Sequence, residues 1–212
     1  MIEPIRLSLP KGRVLNEALK LLERAGIRPE GDPNGSRKLM FPDQEGWLQF
    51  VVLKPVDIPV YVESGAVDVG IVGSDIVREL DVDVYEPLDL GIGQCRLVLA
   101  APRGTTLALD QELRVATKYP RTAERFFASR NAHVHVVRLE GSVEIAPLLG
   151  LSNGIIDLVE TGRTLRDNDL VVLEEVERVS AKLIINRTSM KMRSAEMRKL
   201  IAQLDTVVYA HH

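Results

Sequence analysis

Short apolar runs alternate with amphipathic stretches along nearly the whole chain, and this alternation sharply limits the folds open to it. Runs at 5–9, 39–41, 48–53, 67–72, 84–88, 96–101, 114–117, 135–139, 155–159, 170–179 and 182–186 have the length and branched-residue content of strands. Between many of them the apolar spacing becomes helical, at 14–25, 56–63, 74–80, 121–129, 143–149, 165–168 and 189–208, with Gly26 and Gly65 placed to end the first two. Strand-helix repetition of this kind predicts a mostly parallel α/β architecture. The cluster Phe41-Pro42-Asp43-Gln44-Glu45-Gly46-Trp47 reads instead as a hairpin loop. At 212 residues the chain has room for one large or two small domains, and a 45% hydrophobic fraction supports globular cores.

Charge and special residues exclude several function classes. With 27 Lys+Arg against 30 Asp+Glu the formal net charge is −3, and no basic run interleaves with aromatics, so nucleic acid is not the expected partner. Every apolar run is interrupted too soon to span a bilayer. The single Cys95 cannot form an intrachain disulfide, and it enters an apolar strand where a packed thiol is expected. His133 and His135 lack further ligands at metal spacing, so no zinc site is expected there. Trp47 and Tyr61 read as packing residues, and Leu200, Ile201 and Leu204 as the buried face of a last helix. The first residues lack the regions of a signal peptide, which points to a cytoplasmic protein; His211 and His212 read as native or as a tag remnant.

The richest segment is D-L-V-E-T-G-R-T-L at 157–165, where an apolar run breaks into a Gly-containing turn. Thr161, Gly162, Arg163 and Thr164 can turn backbone N–H groups, two hydroxyls and a guanidinium toward one anion. Asp157 and Glu160 beside that anion are unfavourable unless they hold something else, such as sugar hydroxyls or a metal ion. Together these suggest a phosphoribosyl donor. An ordinary strand-turn-helix unit, with Thr161 as a cap and Asp157 solvated, fits the same residues.

Other turns carry similar double readings. Lys11-Gly12-Arg13 follows a strand and opens a helix, where two cations and a glycine suit a pyrophosphate or triphosphate but also suit plain solvent exposure. Lys118-Tyr119-Pro120-Arg121 is a second basic turn, and Ser74 after Gly73 reads as an N-cap. An internal echo links Gly65–Gly73 with Gly154–Gly162 through the pattern G-x-x-D-x-x-x-x-G, consistent with two similar lobes or with the general build of βα units.

Glu144, Gly150, Ser152, Ile155, Asp157, Leu158, Thr161, Gly162, Thr164 and Leu165 follow the spacing E-x5-G-x-S-x2-I-x-D-L-x2-T-G-x-T-L. This resembles the signature of ATP phosphoribosyltransferase, the family that opens histidine biosynthesis. Leu7 to Leu15, Asp57 to Val62, Gly70 to Asp75, Gly93 to Leu97 and Val115 to Pro120 extend the resemblance over most of the chain. Lys54 stands where the family has arginine, which keeps a cation but loses the planar fork, and Ser152-Asn153 replaces the commoner Ala-Asp.

The resemblance implies two α/β lobes arranged like a periplasmic binding protein with the active site in the interdomain cleft. One domain would comprise 1–92 with 178–212, and the other, carrying the donor loop, 93–177. It implies transfer of phosphoribose from 5-phosphoribosyl 1-pyrophosphate to N1 of the ATP adenine. Donor binding falls to Asp157, Glu160, Thr161, Gly162, Arg163 and Thr164. ATP binding falls to Lys11, Gly12, Arg13, Lys54, Gly73 and Lys118, and catalysis to Lys11, Arg13 and Glu160. Mg2+ would be held mainly by substrate phosphates, with no protein ligand assigned. The short form of the family further implies a dimer of this chain within a hetero-oligomer containing a regulatory subunit that resembles histidyl-tRNA synthetase.

Overall fold

The computed structural model describes residues 3–107 and 113–210, so His211 and His212 lie outside the described residues. The chain divides into two compact units, residues 1–93 with 180–212 and residues 94–179.

In the first unit, strand β1 (Ile5–Pro10) lies between two parallel neighbours, β3 (Leu48–Leu53) and β4 (Val69–Gly73). A strand paired on both sides and covered on both faces has no polar face to show, which is why I-R-L-S-L-P is almost wholly buried. Among the described residues the sheet has six strands in the order β2-β3-β1-β4-β11-β5, with β2 at Met40–Pro42, β5 at Tyr85–Asp89 and β11 at Ala181–Ile185. Helices α1 (Arg13–Arg24) and α8 (Ser194–Tyr209) cover one face, setting Leu15, Leu22, Leu200 and Leu204 against Leu7, Phe50 and Ile71. A 3-10 turn at Pro55–Asp57, α2 (Ile58–Glu63) and α3 (Ser74–Leu80) lie toward the other face, where Ile58, Val62 and Val77 meet Val72 and Ile184. Adjacent Ile71 and Val72 thus serve opposite layers, as the two-residue period requires.

The second unit repeats this plan. Its five described strands run in the order β10-β6-β9-β7-β8, with β6 at Cys95–Pro102, β7 at Leu113–Thr117, β8 at Val134–Arg138, β9 at Gly154–Val159 and β10 at Leu170–Val179. Strand β7 has parallel neighbours β8 and β9, as β1 has β3 and β4. Helix α4 (Pro120–Ala128) packs Ala123 and Phe127 on one face; α5 (Ile145–Leu148) and α6 (Arg163–Asp167) place Ala146 and Leu165 on the other.

Several expectations are corrected. The sheets are mixed rather than mostly parallel: β2, β5 and β11 in the first and β6 and β10 in the second pair antiparallel. As expected, the 41–47 loop joins β2 to β3 as a hairpin; β11, the last strand, pairs antiparallel with both β4 and β5. The helix expected over 189–208 is two helices, α7 (Arg187–Met192) and α8, because Arg193 leaves helical geometry at φ −123° and ψ 38°. Its guanidinium donates to the Glu3 carbonyl at 2.7 Å and lies 3.7 Å from Asp68. Ser74 is the first helical residue and caps nothing; its N–H donates to the Ser180 carbonyl at 2.9 Å. Tyr61 is largely exposed rather than packed, whereas Trp47 sits against the core with the Lys199 ammonium over its ring.

Where the chain leaves and re-enters the first unit, the Leu90 N–H donates to the Ala181 carbonyl and the Ala181 N–H to that of Ile92, both at 2.9 Å. Asp89 accepts from the Ser180 hydroxyl and the Lys182 ammonium, each at 2.7 Å. Burial acts to raise this carboxyl, but these bonds and the Gly91 N–H outweigh it and hold it below the usual range.

Gly70 shows how tightly α2 lies on the sheet. A Cβ there would come 2.6 Å from Ile58, 2.9 Å from the Ser8 hydroxyl and 3.0 Å from Val62. Gly70→Ala is therefore expected to cost about 1–3 kcal/mol through overpacking, read as a lower midpoint in denaturant melts. An unchanged midpoint would mean that α2 moves aside freely.

Candidate functional site

Strand β9 delivers Asp157 and then ends at Val159, and the turn Glu160-Thr161-Gly162 leads directly into α6. Gly162 sits at φ 72°, ψ 11°, a left-handed conformation that costs glycine nothing and a branched residue a great deal. The turn and the start of α6 line a cavity of about 260 Å³, together with Asp157 and Glu144. All the expected donor residues, Asp157, Glu160, Thr161, Gly162, Arg163 and Thr164, thus border one concavity within the second unit.

Its electrostatics are divided. Burial pushes the Asp157 carboxyl above the usual carboxylate range and Glu144 adds to that push, while the Leu158 N–H and the Lys118 cation pull it back. Lys118, expected with the nucleotide, is therefore close enough to act on Asp157. The Arg163 side chain is 82% exposed, with Nε 3.4 Å from Asp167. An exposed pair of that kind is worth little and yields readily to a bound anion. The Thr161 hydroxyl accepts a long 3.4 Å bond from the Arg163 N–H.

A second group of expected residues lies in the first unit, at the carboxyl ends of β1, β3 and β4. Pro10 is opposite Leu53 in the parallel register, so Lys11 and Lys54 leave the sheet side by side, and the Lys11 N–H donates to the Leu53 carbonyl at 2.7 Å. Ser8 is opposite Gly70, and continuing that register brings Gly73 to the same edge. Gly12, at φ 105°, precedes α1, whose start has no side-chain cap. Arg13 opens the helix and donates to the Gly93 carbonyl at 3.3 Å. Lys11, Gly12, Arg13, Lys54 and Gly73 are thus gathered where open α/β sheets bind ligands, outside the carboxyl ends of the strands.

Two residues that bear on this site, one lining the cavity and one behind the loop, were not singled out from the sequence. Glu144 was visible only as the first position of the spaced pattern, and nothing local showed that it would line the cavity with Asp157. Arg166 donates from Nη1 to the Thr161 carbonyl at 3.0 Å; its position one helical turn beyond Gly162 was the available signal. Among the described residues no group of three His, Cys, Asp or Glu side chains is arranged to hold a metal ion. The internal echo is real at its end, since Gly73 and Gly162 both precede helices, but its two aspartates differ. Asp68 accepts from the Arg6 N–H at 2.9 Å and the Ser189 hydroxyl at 2.6 Å, a structural knot, whereas Asp157 lines the cavity.

Comparison with known proteins gives the family. Residues 54–206 match the family model described as HisG: ATP phosphoribosyltransferase. A curated ATP phosphoribosyltransferase from Oceanobacillus iheyensis is 48% identical over 207 residues, 98% of this chain and 100% of that protein. The solved ATP phosphoribosyl transferase (HisG:HisZ) complex from Thermotoga maritima contains a chain with TM-score 0.84 and 30% identity, with 97% of this chain and 99% of that one covered. The alkanesulfonate-binding protein SsuA from Xanthomonas axonopodis pv. citri, at TM-score 0.58 and 13% identity over 97% of this chain and 73% of its own, shares the two-lobed fold alone.

The buried acid gives a pH signature. Because the native pKa of Asp157 lies above its ordinary value of 3.8, its ionisation costs stability. That cost is absent below the ordinary value and grows as pH rises through the raised native one. Asp157→Asn is therefore expected to melt above the unsubstituted protein near about pH 8, with the gain vanishing near about pH 3. Thermal melts across that range check it, and an equal offset at every pH would show that the acid's charge is not the cause.

Proposed function

The chain belongs to the ATP phosphoribosyltransferase family, and from that premise we propose how its residues divide the reaction that opens histidine biosynthesis. ATP and 5-phosphoribosyl 1-pyrophosphate give phosphoribosyl-ATP and pyrophosphate: adenine N1 bonds to ribose C1 as the bond from C1 to the pyrophosphate oxygen breaks. The observation that carries the assignment is the left-handed Gly162 turn bordering the same cavity as the partly buried Asp157.

The 5-phosphate lies against Thr161, Gly162, Arg163 and Thr164, with Arg163 leaving Asp167 to meet it. Asp157 and Glu160 hold the ribose hydroxyls and face the positive charge that builds on the sugar as C1 loses its leaving group. A bound cationic sugar relieves the burial cost of Asp157, so this acid interacts more favourably with the transition state than with the empty site. Lys11, Gly12, Arg13, Lys54 and Gly73 bind the ATP phosphates. Lys118, beside Asp157, adds a cation on the donor side. Adenine N1 already carries a lone pair, so Lys11, Arg13 and Glu160 act by orientation and charge, without a general base.

Mg2+ fits this donor set as an ion that arrives with the substrate. Asp157 and Glu160 can add one or two carboxylates to phosphate oxygens, the usual magnesium arrangement. When bound, the ion neutralises charge on the departing pyrophosphate. The two compact units serve as the two domains, the second carrying the donor loop. No helix among the described residues is long and apolar enough to cross a membrane, and with these substrates the enzyme belongs in the cytoplasm. The Thermotoga relative, solved as a HisG:HisZ complex, supports a regulatory subunit of that kind for this chain, joined to dimers of it in a hetero-oligomer.

Incubation with both substrates and magnesium, followed by the altered ultraviolet absorbance of the product, tests the reaction. Binding without turnover, in the chain and in its complex, would leave a ligand-binding protein of the same fold. Gly162→Val should weaken donor binding by about tenfold or more while ATP binding changes little, since it strains the left-handed turn and crowds the Arg166 guanidinium and Val159 behind it. Calorimetric titration of each substrate separates the two. Glu160→Gln keeps the shape and removes the charge, so turnover should fall by about tenfold with the melting temperature retained. Near-normal turnover would move the ribose contact elsewhere.

A further inference from the structure

Arg166 makes two contacts with the loop, and together they fix which way its peptides face. Its Nη1 donates to the Thr161 carbonyl at 3.0 Å, and its backbone N–H donates to the Gly162 carbonyl at 3.2 Å. None of the described peptide bonds is cis. In a trans peptide the N–H points opposite to the C=O of the same plane. Holding the Thr161 and Gly162 carbonyls therefore turns the N–H groups of Gly162 and Arg163 away from Arg166. Arg166 does not line the cavity, whereas Thr161, Gly162 and Arg163 do. The side opposite Arg166 is then the cavity side.

We propose that Arg166 is the positioning residue of the donor-phosphate loop, holding two carbonyls on one side so that the Gly162 N–H, and the Arg163 N–H with only its long 3.4 Å bond to the Thr161 hydroxyl to give up, are presented to the phosphate on the other. The inference rests on the donor-site reading given above. The guanidinium also brings a positive charge to the back of the loop, with Nη1 3.3 Å from where a Cβ on Gly162 would stand. Arg163, the cation the sequence favours, contacts the phosphate only after leaving Asp167; Arg166 is already in place before any ligand arrives. The backbone bond to Gly162 does not depend on the Arg166 side chain, so replacing that side chain with Met, Lys or Gln releases only the Thr161 plane. Once free to rotate, that plane can turn its carbonyl toward the phosphate, exchanging an attractive N–H for a repulsive oxygen.

The test compares Arg166→Met, which keeps the apolar stem but removes donor and charge, with Arg166→Lys, which keeps both in a different shape. Steady-state kinetics on the enzyme in its complex should show the KM for 5-phosphoribosyl 1-pyrophosphate rising about tenfold in Arg166→Met. The KM for ATP and kcat at saturating donor should stay within about twofold, the pattern of lost ground-state binding at one substrate. Arg166→Lys should recover most of the loss. A general weakening of the fold would instead move both KM values and the melting temperature together, and that result overturns the proposal. An unchanged donor KM in Arg166→Met overturns it too. If Gly162→Val still raises the donor KM in that case, the donor-site reading stands without Arg166; if it does not, that reading fails as well. Should Arg166→Met not fold, Arg166→Gln, neutral and shorter in reach, takes its place with the same expected split.

Discussion

A strand paired on both sides with parallel neighbours dictates much of this molecule. Parallel strands cannot be joined by a tight turn, so each connection must cross back over the sheet, here through helices. For β1 between β3 and β4, and for β7 between β8 and β9, the chain goes out to one neighbour and then back across to the other. Every such crossover starts at the carboxyl end of a strand. The loops that carry Lys11, Lys54 and Gly73 in one unit therefore emerge at one edge of its sheet, and those that carry Lys118 and Thr161 at one edge of the other. Binding chemistry collects there because the topology leaves the loops nowhere else to begin.

The two units share a strand plan but use it differently at corresponding points. In each, the third parallel strand ends before a glycine-led helix. Around Asp68 the first unit ties its terminal helices to β1 through the Arg6 N–H, Ser189 and Arg193. Around Asp157 the second unit leaves an acid partly buried, supported by one backbone N–H and a nearby lysine and opposed by Glu144. A fully compensated acid contributes to the fold; an undercompensated one holds a cost that a cationic or hydroxylated ligand can relieve. Charged groups left in that condition concentrate at functional sites.

Most of the elements were legible locally. Apolar period and glycine position found the strands and nearly all the helices, and the spaced pattern from Glu144 to Leu165 pointed to a phosphoribosyl chemistry before any geometry was known. The helix break at Arg193 was hidden because the residues on either side both favour helix. What interrupts it is the guanidinium's attraction to the Glu3 carbonyl and Asp68, groups more than a hundred residues away in the chain. Ser74 looked like a cap for a similar reason: serine before a helical run usually caps, but its N–H is taken by Ser180 across the returning strand.

By itself the sequence determined that this is an α/β chain, where its turns lie, and which short segment sets glycine and hydroxyls at a strand end, because periodicity, glycine and hydroxyl placement act within a few residues. Only the tertiary structure decided the strand directions, the different fates of Asp68 and Asp157, the approach of Lys118 to Asp157 and the hold of Arg166 on Thr161. Those depend on which distant segments pair and on where side chains then point, and neither is encoded in any single stretch of the chain.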